Sequence, residues 1–180
     1  MSVLSKQALR HRIKTTYGTL TDQQRADWDL ELAERLARHT RFEKAQTVLA
    51  FYSIANEPDT HRLCELWYRQ KTLLLPKVEG KQLELRLYEG PDSLPKGAYG
   101  IMEPTGKPFD KIGKIDLAIV PGMAFTRNGL RLGRGGGFYD RLLARPDWQA
   151  YTIGFCYPFQ VVDDLTVEPF DRPVDEVMAP

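Results

Sequence analysis

Short apolar segments alternate with stretches of helical periodicity along this chain, and no other feature of the sequence constrains the fold as strongly. Residues 47–52, 73–76, 115–120 and 151–155 have the length and apolar content of buried strands, and proline ends the second of them. Residues 83–87 alternate like a half-exposed strand. Because strands separated by helices pair mainly in parallel, we predict an α/β fold. The expected architecture is one domain spanning 1–180, with a mainly parallel sheet, flanking helices and Rossmann-like layers.

The N-terminal segment is predicted to be a helix over 4–17. It contains basic residues but no acidic residue before Asp22, which is also the pattern of a mitochondrial transit peptide. On a helix, however, Lys6 and Arg10 share a face with two core-type side chains, those of Ile13 and Tyr17. A transit peptide would more often place its charges opposite the apolar stripe. We therefore expect a basic pair at the rim of the folded body, with ordinary surface cations as the alternative.

Further helices are indicated by local signals. Residues 21–24 (TDQQ) have the capping-box pattern, and an apolar stripe at helical spacing follows it. Helices are also predicted from about residue 60 and over 138–145. Residues 90–110 are rich in Gly and Pro and have little periodicity, so they are expected to form a long irregular segment, either a functional loop or a tolerated insertion.

Composition excludes several classes of protein. The 180 residues are 42% hydrophobic and 27% charged with a net charge of +1, which is ordinary for a folded domain and gives no global field for nucleic acid or membranes. No apolar run is long enough to cross a membrane or to serve as a secretory signal. Cys64, Cys156 and three scattered histidines do not have the spacing of a zinc site. We expect a cytoplasmic protein with buried cysteines.

The strongest motif is a run of glycines at positions 133, 135, 136 and 137, placed between a strand and a helix and flanked by Arg131 and Arg134. Glycine lets backbone amides turn toward an anion, and the start of a helix adds positive potential, so the segment suits phosphate. It is neither a Walker loop nor a GxGxxG motif, because Phe138 and Tyr139 follow the last glycine. A flexible turn with solvated arginines is the alternative.

Two aspartates are candidate metal ligands. Asp140 follows the glycines in the first turn of the predicted helix, where it could hold Mg²⁺ on a bound polyphosphate or act only as a helix-start carboxylate. Asp175 is the second candidate. The residues alone leave both interpretations of Asp140 open.

The segments 117–125 (LAIVPGMAF) and 129–141 (GLRLGRGGGFYDR) closely resemble the signature of the 5-formyltetrahydrofolate cyclo-ligase family, also called methenyltetrahydrofolate synthetases. Residues 6–10, 57–60 and 171–175 resemble, in turn, the family's ATP-contacting helix, folate loop and metal-binding segment. The resemblance thus covers nearly the whole chain, and it implies that the N-terminus belongs to the folded domain.

The resemblance implies an enzyme that uses ATP and Mg²⁺ to convert 5-formyltetrahydrofolate to 5,10-methenyltetrahydrofolate, with release of ADP and phosphate. It further implies a monomer whose substrates are ATP and the folate, with or without a polyglutamate tail, and no nucleic-acid or membrane partner. The resemblance implies that Arg134 and Tyr139 are catalytic and that Asp140 and Asp175 bind Mg²⁺. The implied ATP-binding residues are Lys6, Arg10, Arg131, Leu132, Gly133, Arg134, Gly135, Gly136, Gly137, Phe138 and Tyr139. The implied folate-binding residues are Tyr52, Glu57, Tyr99, Arg134, Gly135, Gly136, Gly137 and Phe138.

Two of the folate positions have separate arguments. A carboxylate at Glu57 can accept both adjacent N–H donors of a pterin edge. Tyr99 stands where relatives can have tryptophan, so it is either a ring near the folate or an ordinary loop tyrosine. The chain also departs from common family residues, with Thr126 in place of Asp, Phe138 in place of Tyr and Phe170 in place of His.

Two other classes of function compete with the cyclo-ligase. A non-catalytic nucleotide- or nucleic-acid-binding module would use the same glycines and arginines, although the balanced net charge argues against it. A sugar-phosphate isomerase on a related sheet would need a general base but neither ATP nor Mg²⁺. The presence of both Asp140 and Asp175 favours the cyclo-ligase.

Overall fold

Helices and strands alternate through most of the chain. The structure is a computed structural model, and it describes residues 4–96 and 102–180. The α-helices of these residues are α1 (Lys6–Thr19), α2 (Asp22–Ala37), α3 (Thr40–Lys44), α4 (His61–Trp67) and α5 (Phe138–Leu143). The strands are β1 (Thr47–Leu49), β2 (Thr72–Glu79), β3 (Gln82–Leu87), β4 (Leu117–Val120), β5 (Ala124–Thr126), β6 (Arg131–Leu132), β7 (Tyr151–Phe155), β8 (Val161–Val162) and β9 (Glu176–Met178).

Six strands form the main sheet in the order β3-β2-β1-β4-β7-β9. All neighbours in it run parallel except β2 and β3, which form an antiparallel hairpin at one edge. The predicted α/β fold with a mainly parallel sheet and flanking helices is confirmed. The carboxyl ends of parallel strands lie on the same side of a sheet, so the loops that follow β1 and β4 are brought together on that side.

Both faces of the main sheet are covered, as a parallel sheet requires. Val48 and Leu73 point to the face that packs with α1 and α2, whereas Leu49 and Leu74 point to the face that packs with Leu142 of α5. The alternation follows the period of two of a β-strand. The result is three layers, with helices on each side of a buried sheet.

The second helix begins where its capping residues predict. Thr21 accepts a hydrogen bond from the Gln24 backbone, and the Gln24 side chain accepts one from Thr21 N–H, so the predicted capping box is confirmed. Leu32 and Leu36 of the following stripe are fully buried.

Cys64 and Cys156 are buried and form no disulfide, as expected.

Pro76 does not end its strand, and the expectation that it would is wrong. Strand β2 continues to Glu79, with Pro76 opposite Leu85 of β3. Its neighbour β1 makes its last pair at Leu49 and Leu74, two residues earlier. The missing N–H of proline therefore interrupts no bond on the β1 side.

A second, three-stranded sheet in the order β6-β5-β8 was not predicted. Its strands have only two or three residues, which is too short for a periodic pattern. Strand β6 ends directly before the first glycine of the glycine-rich segment. The small sheet thus fixes the position at which this segment begins.

Gly154 of β7 is expected to tolerate no side chain. A Cβ there would lie 2.4 Å from Cε1 of Phe125, whose ring is fully buried. We expect Gly154→Ala to lower the free energy of unfolding by about 1–3 kcal/mol through overpacking, as measured by chemical denaturation. The control is Gly18→Ala in α1, where no atom lies within 4 Å and alanine should leave stability unchanged or slightly higher. Equal effects of the two variants would contradict the packing argument.

Candidate active site at the glycine loop

The glycine loop, residues 133–137, joins β6 to α5 in a conformation that depends on glycine. Gly135 and Gly137 have φ angles of +108° and +65°, which side-chain-bearing residues rarely adopt. A Cβ at Gly136 would lie 2.7 Å from the ring of Phe138. The sequence is therefore glycine-rich because the backbone turns tightly and is closely approached. Helix α5 has six residues, fewer than predicted, so the loop backbone matters more than the helix dipole.

A buried ion pair lies directly beneath this loop. The Arg131 side chain is 3% exposed, and its Nη2 lies 2.6 Å from Oδ1 of Asp140. Arg131 Nη1 also donates to the carbonyl of Pro121, just beyond the end of β4. The N-cap of α5 is Gly137, not Asp140. Asp140 does lie in the first turn of α5, and it also neutralises the buried Arg131, which neither predicted role included.

Two cavities meet at the glycine loop. The apolar cavity, of about 340 Å³, includes Phe51, Leu75, Val78, Leu83 and Phe138 in its wall. The polar cavity, of about 670 Å³, includes Lys6, Arg10, Gly135, Glu168 and Asp171. Both are lined by Arg131, Gly133, Gly137 and Asp140. A ligand in one cavity would therefore lie next to a ligand in the other.

The N-terminal helix supplies cations to the polar cavity. Arg10 Nε donates to the carbonyl of Gly133 at 2.8 Å, which ties α1 to the glycine loop. Lys6 Nζ lies 2.6 Å from Asp171 Oδ2 and 3.3 Å from Glu168 Oε1. Ile13 and Tyr17 on the same helical face are buried in the core, so the prediction of a basic pair at the rim of the body is confirmed.

The loop after β1 carries Glu57 into the apolar cavity. Glu57 Oε1 accepts from Arg134 Nε at 3.0 Å, and Oε2 accepts from the backbone N–H of Ile54 at 3.0 Å. Arg134 Nη2 also donates to the carbonyl of Ala55. Arg134 of the glycine loop is thus held across the cavity mouth against the loop that follows β1.

Burial changes the pKa of two side chains that line the apolar cavity, those of Glu57 and Tyr139. The Glu57 carboxyl is mostly buried, and this burial raises its pKa above the ordinary value, although the bonds from Ile54 and Arg134 lower it in part. The Tyr139 hydroxyl is buried and has no hydrogen-bond partner among the described residues. Burial also raises the pKa of Tyr139, so this group remains an O–H donor. An unpartnered donor beside a cavity is suited to a ligand oxygen.

Three further predicted site residues have different surroundings. Tyr52 lines the apolar cavity and stacks on His61, with ring centroids 3.8 Å apart. Leu132 is buried in the core, so its side chain is not free to contact a nucleotide. Tyr99 lies outside the described residues.

The structure does not bring Asp175 to the glycine loop. Asp175 Oδ2 accepts from both N–H and Oγ1 of Thr152, at 2.8 and 2.6 Å. It directly precedes β9, which runs parallel to β7, so it lies at the amino edge of the sheet. Asp175 lines neither of the two cavities at the glycine loop and borders a separate one. The pairing of Asp140 with Asp175 on a metal therefore stays a prediction.

Sequence reasoning missed two residues that hold the site together. Asp29 of α2 accepts from Tyr157 Oη at 2.7 Å and from the N–H of Asp59 at 2.9 Å, which anchors the loop carrying Glu57. Asp171 lies within the segment quoted from the family, but its partnership with Lys6 spans 165 positions. Neither pairing has a local signal, although Asp29 follows directly after the apolar stripe residue Trp28.

Of the three departures from the family pattern, Thr126 has a structural explanation. Its Oγ1 accepts from the N–H of Leu130 at 3.0 Å and is bonded to Asn128 Oδ1, which closes the turn between β5 and β6. The residue is buried away from both cavities. Threonine here serves the turn that leads to the glycine loop.

Within 4–96 and 102–180, no three Asp, Glu, His or Cys side chains cluster as a metal site. In the same residues, no helix is long and apolar enough to cross a membrane.

Comparison with known proteins agrees with the geometry. Residues 3–180 match the 5-formyltetrahydrofolate cyclo-ligase family. The chain is 34% identical to the 5-formyltetrahydrofolate cyclo-ligase of Escherichia coli K12, over 93% of this chain and 96% of the relative. It is 26% identical to the mouse protein of the same name, over 97% and 93%.

Solved structures give the same result. The 5,10-methenyltetrahydrofolate synthetase of Aquifex aeolicus superimposes with a TM-score of 0.86 and 34% identity, over 97% of this chain and 89% of that one. The synthetase of Mycoplasma pneumoniae superimposes with a TM-score of 0.78 and 25% identity, over 97% and 98%. These relatives are enzymes, and the match extends from the first helix to the last strand. The chain belongs to the 5-formyltetrahydrofolate cyclo-ligase family.

Proposed function

We propose that this protein converts 5-formyltetrahydrofolate to 5,10-methenyltetrahydrofolate at the expense of ATP, with release of ADP and phosphate. The observation that carries the proposal is the shared wall of the two cavities. A reaction between a nucleotide and a folate needs both molecules side by side, and Arg131, Gly133, Gly137 and Asp140 border both spaces.

The polar cavity suits the triphosphate. Lys6, Arg10 and Arg131 supply positive charge, and the glycine loop presents backbone atoms without side chains in the way. Its volume of about 670 Å³ lies within the range of small-molecule sites. Lys6 is already paired with Asp171, so we expect Arg10 and the loop backbone to contact the phosphates more strongly.

The apolar cavity suits the folate. Tyr52, Val78 and Phe138 provide flat or aliphatic surface for its rings. Each Glu57 oxygen uses one lone pair, on Arg134 or on Ile54 N–H, and keeps another for a pterin N–H donor. Arg134 thus orients the carboxylate that would recognise the pterin.

In the proposed reaction, the formyl oxygen attacks the γ-phosphorus and ADP leaves. The anilino nitrogen then bonds to the formyl carbon and gives up its proton, and the transferred phosphate departs with the former formyl oxygen and accepts that proton. The protein's task is to align the two substrates and to neutralise charge. Tyr139 and Arg134 line the apolar cavity, where Tyr139 can donate its O–H to an oxygen of the folate and Arg134 contributes a cation.

Asp140 fits as a ligand for Mg²⁺ carried by the triphosphate. Arg131 and the Arg172 N–H both bond to Oδ1, and within the described residues no protein donor bonds to Oδ2. Mg²⁺ commonly takes one or two carboxylates together with phosphate oxygens, so a larger protein cluster is not required. When bound, the ion would neutralise charge on the phosphates.

We further propose that the enzyme acts as a cytoplasmic monomer. Two buried, unpaired cysteines suit a reducing compartment. The main sheet is covered on both faces by its own helices, so no second copy is needed to complete the core.

The test is formation of the methenyl product by purified protein, followed by its absorbance, with ATP and Mg²⁺ present or singly omitted. We expect product and ADP in equal amounts, and none without ATP. Binding of ATP and folate without turnover would instead support the non-catalytic module.

A further inference from the structure

Phe170 is the third departure from the family pattern, and its ring is unusually exposed. It is 60% exposed, more than any other large hydrophobic side chain in the described residues. The ring borders the polar cavity. An exposed aromatic ring beside a ligand cavity is a candidate contact surface.

The ring is held in place by its neighbours. Glu168 to Asp171 form a turn in which Asp171 N–H donates to the Glu168 carbonyl at 2.9 Å. The Glu168 N–H donates back to Asp171 Oδ2 at 2.8 Å, and Lys6 bonds to the same carboxylate oxygen. Lys6 Nζ also lies 5.8 Å from the centre of the Phe170 ring. The ring is exposed because the turn presents it, not because the segment is unattached.

The rest of this cavity offers nothing flat for a base to contact. Among the described residues that line it, Phe170 is the only aromatic side chain. The other wall residues are charged, polar or glycine, apart from Leu132, which is buried in the core. The cavity therefore combines an anion-binding side at the glycine loop with a single apolar plate at Phe170.

We propose that Phe170 stacks on the purine base of the nucleoside triphosphate. If the triphosphate binds at the glycine loop and the base points toward residues 166–171, the phosphates lie against the cationic side of the cavity. The base then lies against the ring of Phe170. This inference rests on the proposed function for the identity of the nucleotide, and it adds the residue that recognises the base.

The test measures equilibrium binding of ATP and of inorganic tripolyphosphate by calorimetry, in wild type, Phe170→Ala, Phe170→Tyr and Val167→Ala. Val167 is the matched control, because it is exposed in the same segment but does not line the cavity. We expect the wild type to bind ATP more tightly than tripolyphosphate. Phe170→Ala should weaken ATP on the order of 10-fold and leave tripolyphosphate unchanged. Phe170→Tyr and Val167→Ala should resemble the wild type.

Three results would overturn the stacking role: no preference of the wild type for ATP, an unchanged ATP affinity in Phe170→Ala, or a parallel loss for tripolyphosphate. The last result would mean that the ring only supports the Lys6–Asp171 turn. Because the readout is binding, it is separate from turnover. A wild type that binds ATP through Phe170 but forms no methenyl product would contradict the proposed function alone.

Discussion

Asp140→Asn is expected to be both less stable and less active than the wild type. The change removes the negative charge 2.6 Å from an Arg131 guanidinium that is almost fully buried. Breaking such a pair leaves an uncompensated buried charge, so the free energy of unfolding should fall by about 3 kcal/mol in denaturant titrations. The same change removes the carboxylate that would hold Mg²⁺, so turnover at fixed ATP should require more Mg²⁺.

The matched control is Asp147→Asn, which removes the partner of Arg145 on the surface. Both side chains of that pair are about half exposed, so stability and turnover should change little. An Asp140→Asn protein as stable as the wild type would contradict the structural ion pair. A destabilised protein with an unshifted Mg²⁺ dependence, measured below its melting temperature, would limit Asp140 to that structural role.

Glu57→Gln is expected to raise the KM for the folate on the order of 10- to 100-fold. The carboxylate can accept two charge-assisted hydrogen bonds from the pterin, whereas an amide presents one acceptor and one donor. The KM for ATP should stay near its wild-type value, since Glu57 lines the apolar cavity and not the polar one. Glu65→Gln, on the exposed side of α4, is the control and should leave both constants unchanged.

The pH dependence of the folate KM gives a second measure of the same residue. Burial raises the pKa of Glu57, so its carboxylate becomes protonated at a higher pH than an ordinary glutamate. Protonation removes acceptor capacity, so the folate KM should rise as the pH falls through that raised pKa. Glu57→Gln has no proton to gain and should lose this dependence. A Gln variant with an unchanged profile, or one that loses ATP affinity equally, would show that Glu57 has another role.

Features of the fold with local causes could be predicted from the sequence. The capping box at Thr21, strand β7 and the glycine requirement at 135 and 137 each depend on neighbouring residues alone. Where a strand ends within the sheet was harder to predict from the sequence. Pro76 suggested a strand end, but the effect of a proline depends on where the adjacent strand stops, which is set by distant pairing.

The surroundings of the candidate metal ligands also depend on distant pairing. Asp171 and Asp175 lie four positions apart, and nothing local distinguishes their environments. Pairing of β9 with β7 places Asp175 at the amino edge, whereas the turn bonded to Lys6 keeps Asp171 at the polar cavity. The Arg131–Asp140 pair was also hidden, because sequence patterns do not show that an arginine beside glycines is buried.

Simultaneous occupancy of the two cavities is the central claim, and one titration tests it directly. ATP would be titrated calorimetrically, without Mg²⁺ so that turnover is suppressed, into protein that is either free or saturated with 5-formyltetrahydrofolate. Two adjoining cavities predict one ATP per chain in both titrations, with no loss of ATP affinity when the folate is bound. An apparent ATP dissociation constant that rises in proportion to the folate concentration would mean that the ligands compete for one cavity, and would contradict the account.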